Sequence, residues 1–319
     1  MATPPKPRYG IAEWYGLDIA KMSSADRHLF GQVAAQQEAI GNAPDCPFLS
    51  TLIPEAKCNK SGGVCSIRRF THDGRLVADD KIVTVCPSRF LERTDGLSVF
   101  VEVSKKVLGV ANPIIVKETP FLRKVSSDGE DDDGKRAGRI DWILVDPATL
   151  KASELSWCAV ETQALYFSGG KMLDEFEAYA KHPKPPLLFP VGKRRPDYRS
   201  SGPKRLAPQL DVKVPVLRSW GKKVVVIIDQ FFFESMNTLA DAYPKAKNDN
   251  ERRDAAEVIW FVVDYSGNLK LRESATVYST LDSSRVALNA TEPLSKVDFT
   301  ANLRAVIQDE ARVNKVFRV

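Results

Sequence analysis

The spacing of apolar positions changes several times along the chain, and each change marks an expected element. Over residues 18–40 an Ala/Gln/Leu-rich run follows Ser23 and Ser24, either of which suits a helix N-cap. Residues 97–108 keep helical spacing and stop at Gly109, the residue type favoured just past a helix end. Three β-type runs come next, at 113–118, 139–145 and 156–163. Asp146-Pro147 is a turn signal between the second and third, so those two are expected to form a hairpin. Residues 171–181 read as a helix ending at His182-Pro183. A further helical pattern over 204–220 is interrupted by Pro208 and Pro215. The runs 224–228 and 258–263 are apolar enough for central strands, with a helix expected over 231–243 between them. Strands alternating with helices predict an α/β core with a mixed central sheet flanked by helices.

The stretch 43–93 has a different texture, rich in glycine, proline and cysteine, with short β-type runs such as 81–85. Too few large apolar residues are present there for an independent core, so a staple is expected. The expected organisation is a helical segment plus a small cysteine lobe over 1–95, then the α/β core over 96–319.

Composition narrows the class. Hydrophobic residues make up 43 % and charged residues 27 % of 319 positions, as in a globular chain with a substantial core. The longest apolar stretch, 224–228, is far too short to cross a bilayer. The first eight residues are proline-rich and basic with no apolar region behind them, so the expected compartment is the cytoplasm. The net charge of +5 is unevenly spread. Asp128, Glu130, Asp131, Asp132 and Asp133 form an acidic stretch, expected to be an exposed loop. Lys193, Arg194, Arg195, Arg199, Lys204 and Arg205 form a basic one, opposed only by Asp197. Its glycine, proline and serine neighbours suit a loop that tracks a phosphate backbone, although a plain solvated face has the same composition.

Cys46, Cys58, Cys65 and Cys86 all fall in the small lobe, separated by 11, 6 and 20 residues. In a cytosolic chain such a cluster points to a metal rather than to disulfides. Four thiolates make a tetrahedral shell suited to zinc or a single iron, closed to substrate. The two close CxxC pairs of common zinc ribbons are missing, and four unrelated buried thiols remain the alternative. Cys158 lies inside an expected core strand and reads as a small buried residue.

The sharpest chemical signal is Asp141 on one strand and Glu161-Thr162-Gln163 on the next. Residues two apart on a strand share a face, so Glu161 and Gln163 would project together toward Asp141. Two carboxylates sharing an apolar face are costly unless a cation neutralises them, and magnesium, with its hard oxygen ligands and retained waters, meets that need. This is the arrangement of PD-(D/E)xK nucleases, with glutamine where lysine is usual. Taken alone, the spacing recurs by chance.

Taken in order, several pieces resemble restriction endonucleases of the NotI and EagI type. They are Cys46-Pro47-Phe48-Leu49, Cys58, Gly63-Val64-Cys65, Val85-Cys86-Pro87-Ser88-Arg89, Asp141-Trp142-Ile143-Leu144-Val145, Val160-Glu161-Thr162-Gln163 and Lys204-Arg205-Leu206-Ala207-Pro208-Gln209-Leu210, with a weaker echo in Glu13-Trp14-Tyr15-Gly16. The resemblance runs from about residue 10 to 220. It implies a PD-(D/E)xK core and magnesium-dependent, sequence-specific cleavage of double-stranded DNA by a homodimer at a GC-rich palindrome. It also implies one structural iron, or zinc in its place, on Cys46, Cys58, Cys65 and Cys86. Asp141, Glu161 and Gln163 take the family's catalytic positions, and Glu118 resembles an additional upstream glutamate. Two departures stand out: no acid follows Gln163 before Gly170, and Ser88 stands where asparagine is common. Two other readings of the residues remain, a four-cysteine DNA-binding regulator without catalysis and a repair or structure-specific PD-(D/E)xK nuclease.

Overall fold

A computed structural model of the chain describes residues 6–40, 43–77, 81–94, 97–123, 136–290 and 294–308. The acidic stretch 128–133 lies outside the described residues.

Among the described residues the first element is a strand, β1 (Arg8–Trp14), turned through Tyr15 and Gly16 into β2 (Leu17–Asp18). Helix α1 (Ser24–Ile40) begins just after Ser23, one of the two expected caps. Ser23 Oγ accepts from the Asp26 amide, and Asp26 reaches back to the Ser23 amide. Strand β1 pairs antiparallel with β3 (Val64–Phe70), which pairs with β4 (Val83–Thr84), giving a small sheet in the order β2-β1-β3-β4. Trp14 anchors this sheet between helices. Its ring packs 5.9 Å from Phe30 of α1, 5.6 Å from Phe176 and 5.5 Å from Tyr179.

A two-rung ladder, β5 (Arg93–Thr94) with β6 (Leu97–Ser98), leads into α2 (Val99–Leu108). That helix ends at Gly109 in the left-handed region, whose amide bonds Lys105, with the Val110 amide on Ser104. Then comes the central sheet. Strands β7 (Ile114–Arg123), β8 (Arg136–Val145) and β9 (Trp157–Thr162) form an antiparallel meander that includes the expected hairpin.

The chain leaves the sheet through β10 (Tyr166–Ser168), α3 (Leu173–Lys181), β11 (Arg195–Asp197), α4 (Tyr198–Ser201) and a π-helical turn over Gly202–Leu206. It returns along α5 (Ala207–Ser219), in which Pro208 sits in the first turn, where its missing N–H costs nothing, and Pro215 is accommodated inside. Strand β12 (Val224–Asp229) lies parallel to β9, and short α6 (Gln230–Glu234) follows. The helix expected over 231–243 stops at α6. Beyond it the Asn237 and Ala242 amides bond the carbonyls of Ala287 and Tyr278, so tertiary partners replace the helical ladder. After α7 (Asp249–Ala255), β13 (Val258–Ser266) pairs parallel with β12, β14 (Lys270–Ser279) closes the edge, and α8 (Leu281–Asn289) and α9 (Lys296–Gln308) follow.

The six strands run in the order β14-β13-β12-β9-β8-β7, a mixed sheet. Alternation along β12 separates its faces. Val224, Val226 and Ile228 join Leu210, Val214 and Leu217 of α5, whereas Val225 and Ile227 join Phe100 and Val103 of α2. The small sheet belongs to the same packing: Trp14, Ile67 and Val83 lie in one connected cluster with Val226 and Trp260.

Candidate active site

Register builds the site. Pairs Lys117↔Trp142 and Thr119↔Ile140 bracket Glu118 and Asp141 across β7 and β8. On the other side of β8 the last pair is Trp142↔Val160, and one further step brings Asp141 level with Glu161. Three acids therefore stand in a row across adjacent strands. Two bonds tie the inner pair: the Asp141 amide donates to Glu161 Oε1 at 3.4 Å, and the Thr162 amide donates to Asp141 Oδ2 at 3.2 Å.

The acids differ in environment. Glu161 is 2 % exposed, and burial, reinforced by the Asp141 charge, pushes its carboxyl up to about 7. Lys213 of α5 opposes that rise with its Nζ 2.6 Å from Glu161 Oε2, and it also donates to Gln209 Oε1 at 3.0 Å. Glu118 is exposed and sits at φ 50, outside the extended region. Ion pairs with Lys117 at 2.9 Å and Arg139 at 3.1 Å hold its carboxyl below the ordinary value, Lys117 contributing most. Glu118 and Asp141 line one cleft of about 170 Å³ with Lys117, Thr162, Pro87 and Ser88.

Gln163 is placed at the edge of this row, but its amide does not face the acids. Its main-chain N–H bonds Ile227, and Nε2 donates to the Ala164 carbonyl at 2.6 Å. Gln163 lines a second cleft, of about 150 Å³, with Lys60, Tyr166, Arg205 and Gln209. The two clefts meet at Pro87 and Thr162.

Of the basic run, Arg195, Arg199, Lys204 and Arg205 are exposed. Arg205 lies 4.0 Å over the Tyr166 ring and donates to its hydroxyl at 2.6 Å, which fixes the guanidinium at the mouth of the second cleft. Arg194 corrects the expectation of a DNA-facing residue. Its side chain is buried, bonded to Glu175 at 2.7 Å and to the Lys171 carbonyl at 2.5 Å, so it carries structure instead of phosphate contacts. The pattern missed Lys213. Its signal was the stripe Leu210, Lys213, Val214, Leu217, which puts a lysine on the apolar face of α5.

The lobe cysteines fall in two pairs, one on each of two short ladders. Cys46 and Cys58 donate their amides to Ala56 and Pro44 on opposite arms of one turn, and the Cys86 amide bonds the Cys65 carbonyl. The Leu49 amide donates to Cys46 Sγ at 3.4 Å. Burial pushes the Cys58 thiol up to about 11, and nearby Cys46 and Cys86 add to the shift. Cys65 and Cys86 are raised chiefly by burial, with Cys86 acting on Cys65 and Cys46 on Cys86. Cys86 is thus within electrostatic reach of the other three thiols, and Cys46 of Cys58. Among the described residues, however, no group of three or more His, Cys, Asp or Glu stands ready to hold a metal ion. Cys158 is buried on β9, where burial lifts its thiol to about 12.

The family described as restriction endonuclease NotI matches residues 28–278, most of the chain. The chain belongs to that family. The match takes in the four lobe cysteines, the whole acid row, α5 and the central sheet nearly to the end of β14. Membership in the NotI family makes restriction endonuclease activity the best-supported reading, with DNA as substrate and hydrolysis as the reaction, and it disfavours both a non-catalytic regulator and a repair nuclease. No curated protein gives a significant match. Among the described residues, no helix is long and apolar enough to cross a membrane.

Proposed function

We propose that the protein is a magnesium-dependent type II restriction endonuclease with a PD-(D/E)xK core, acting on double-stranded DNA at a GC-rich palindrome as a homodimer. The observation that carries this reading is the row Glu118, Asp141, Glu161, with its inner pair tied by backbone bonds, Glu118 and Asp141 lining a cleft and Glu161 buried behind Asp141.

The donor chemistry fits a hard divalent cation. Asp141 and Glu161 supply carboxylate oxygens, and magnesium needs few protein ligands because it keeps several waters. When bound, the ion supplies charge stabilisation to the phosphate and a water of lowered pKa. The protein's own groups do the rest. The Thr162 amide holds Asp141 Oδ2 and so orients the carboxylate into the cleft. Gln163 carries no charge and cannot take a proton, so its part is orientation. Glu118 stands on the cleft wall beside Lys117, where it can join the site on DNA binding. Arg205 and Lys60 line the adjoining cleft as phosphate contacts, and Arg195, Arg199 and Lys204 extend that surface.

For the lobe we propose one structural iron, or zinc in its place, on Cys46, Cys58, Cys65 and Cys86. The gathering of Cys46, Cys58 and Cys65 around Cys86 and the Leu49 amide directed at Cys46 Sγ support it.

The test is a plasmid digest with and without magnesium. Discrete fragments only with magnesium are expected. A smear would point to cleavage without sequence specificity, and DNA binding without cleavage would overturn the enzymatic reading.

A further inference from the structure

We infer that Lys213 is a positioning residue of the active site, acting through Glu161. The inference rests on the nuclease reading above and goes beyond it by assigning a residue outside the strand motif.

The strand motif ends in Gln163, an uncharged side chain turned toward Ala164. Two carboxylates on one sheet face still need a positive partner in the absence of metal. That partner comes from the helix above the sheet. Lys213 is 7 % and Glu161 2 % exposed, with Nζ and Oε2 2.6 Å apart, and Gln209 Oε1 accepts a second bond from the same ammonium. The two oxygens of Glu161 thereby receive different tasks. Lys213 holds Oε2, while Oε1 faces the Asp141 amide. Pinning from both sides fixes the carboxylate toward Asp141, the orientation in which both acids can serve one cation.

A purely structural explanation is weaker. A buried ion pair adds little net stability compared with apolar side chains of the same volume. At position 213, on the stripe with Leu210, Val214 and Leu217, a leucine or methionine would pack as well. The buried ammonium is accounted for by what it does to Glu161. Like Glu161, Lys213 lines neither cleft, so its route to the reacting phosphate runs through Glu161 and on to Asp141, which does line one.

The experiment compares wild type, K213M, K213R and D141A on one plasmid, together with melting curves and metal-free DNA binding. K213M should fold and bind DNA like wild type, and its KM should hold while kcat falls by about 100-fold, the scale of loss from a misplaced catalytic group. K213R, which keeps the charge, should recover about a tenth or more of wild-type kcat. Crystals of metal-free K213M should show the Glu161 carboxylate turned away from the Asp141 amide. If K213M does not fold, K213Q, which keeps a donor but no charge, is read on the same scale. Folded K213M, or K213Q in its place, cutting within about threefold of wild type would overturn the inference. Wild type that leaves the plasmid intact would instead overturn the nuclease reading on which it rests.

Discussion

Arg89 Nε donates to both carboxylate oxygens of Glu13, at 2.8 and 2.9 Å, with both side chains almost wholly buried. The pair joins β1 to the segment after Cys86, and the same guanidinium reaches Glu92 and the Leu269 carbonyl beyond β13. Ser66 donates to Glu13 as well, and Arg89 lies between the rings of Phe48 and Tyr265. Removing one partner strands the other in a low dielectric. Arg89→Ala should therefore cost about 3–5 kcal/mol in urea denaturation. A loss below about 1 kcal/mol would mean that the pair is no better than a surface one.

Asp141→Ala or Glu161→Ala should abolish cleavage while leaving DNA binding largely intact, because each removes a proposed metal ligand and no phosphate contact. Gln163→Ala should slow the reaction without stopping it. Gel-shift assays without magnesium, set beside digests with it, check both. Near wild-type cutting by either acid variant would remove the proposed site.

The basic run divides into two predictions. Neutralising Arg195, Arg199, Lys204 and Arg205 together should weaken binding at every sequence. The salt dependence should flatten by about one log–log unit for each lost phosphate contact. Arg194→Ala should instead lower the melting temperature, since it breaks the buried pair with Glu175. An unchanged salt slope in the first variant would return those residues to ordinary solvated surface.

That contrast shows where the sequence was legible. Val224–Ile228, the Asp141–Glu161 hairpin and the Gly109 helix end were readable because each follows from local spacing or from one residue's conformational preference. Arg194 and Lys213 were not, because burial of a charge depends on a partner distant in sequence, Glu175 for one and Glu161 for the other. Strand β1 escaped notice because Glu13 occupies one of its buried positions, made tolerable only by Arg89. The turn of Glu118 to positive φ has no local signal either.

Asp229 predicts a pH effect unrelated to catalysis. It is buried at the end of β12, where its carboxylate accepts from the Thr84 and Phe232 amides. Burial pushes it from 3.8 up to about 6 against those bonds. The folded state thus keeps the proton longer than the unfolded chain does. Its stabilising contribution is complete below about 3.8 and is lost as pH rises through about 6, a change on the order of 3 kcal/mol. Denaturation of metal-free protein across that window should show the slope in wild type. Asp229→Ser, an uncharged N-cap, should lose that share of the slope whatever its absolute stability, leaving the part that Glu161 contributes at higher pH; an identical slope would refute this account.

The cysteine proposal predicts one metal per chain in purified protein, iron by the family resemblance and zinc where it has been substituted. Cys58→Ser should lower solubility and DNA binding together, whereas Cys158→Ser should do neither. Elemental analysis and thiolate-to-iron absorption decide which ion is present. Metal-free protein that folds and binds DNA normally would sink the structural role. It would not touch the acid row, because a closed four-thiolate shell leaves no position for phosphate.

The connected cluster that holds Trp14 at one end of the chain also holds Leu281 and Leu288 near the other. During synthesis the first strand emerges from the ribosome long before the residues that complete its packing exist. The acid row and Lys213 emerge before β13, β14 and α8, so a nascent chain carries the proposed catalytic groups on an unfinished sheet. A product truncated before β13 would lack Trp260, Leu281 and Leu288, and with them part of the core against which the acid row is held.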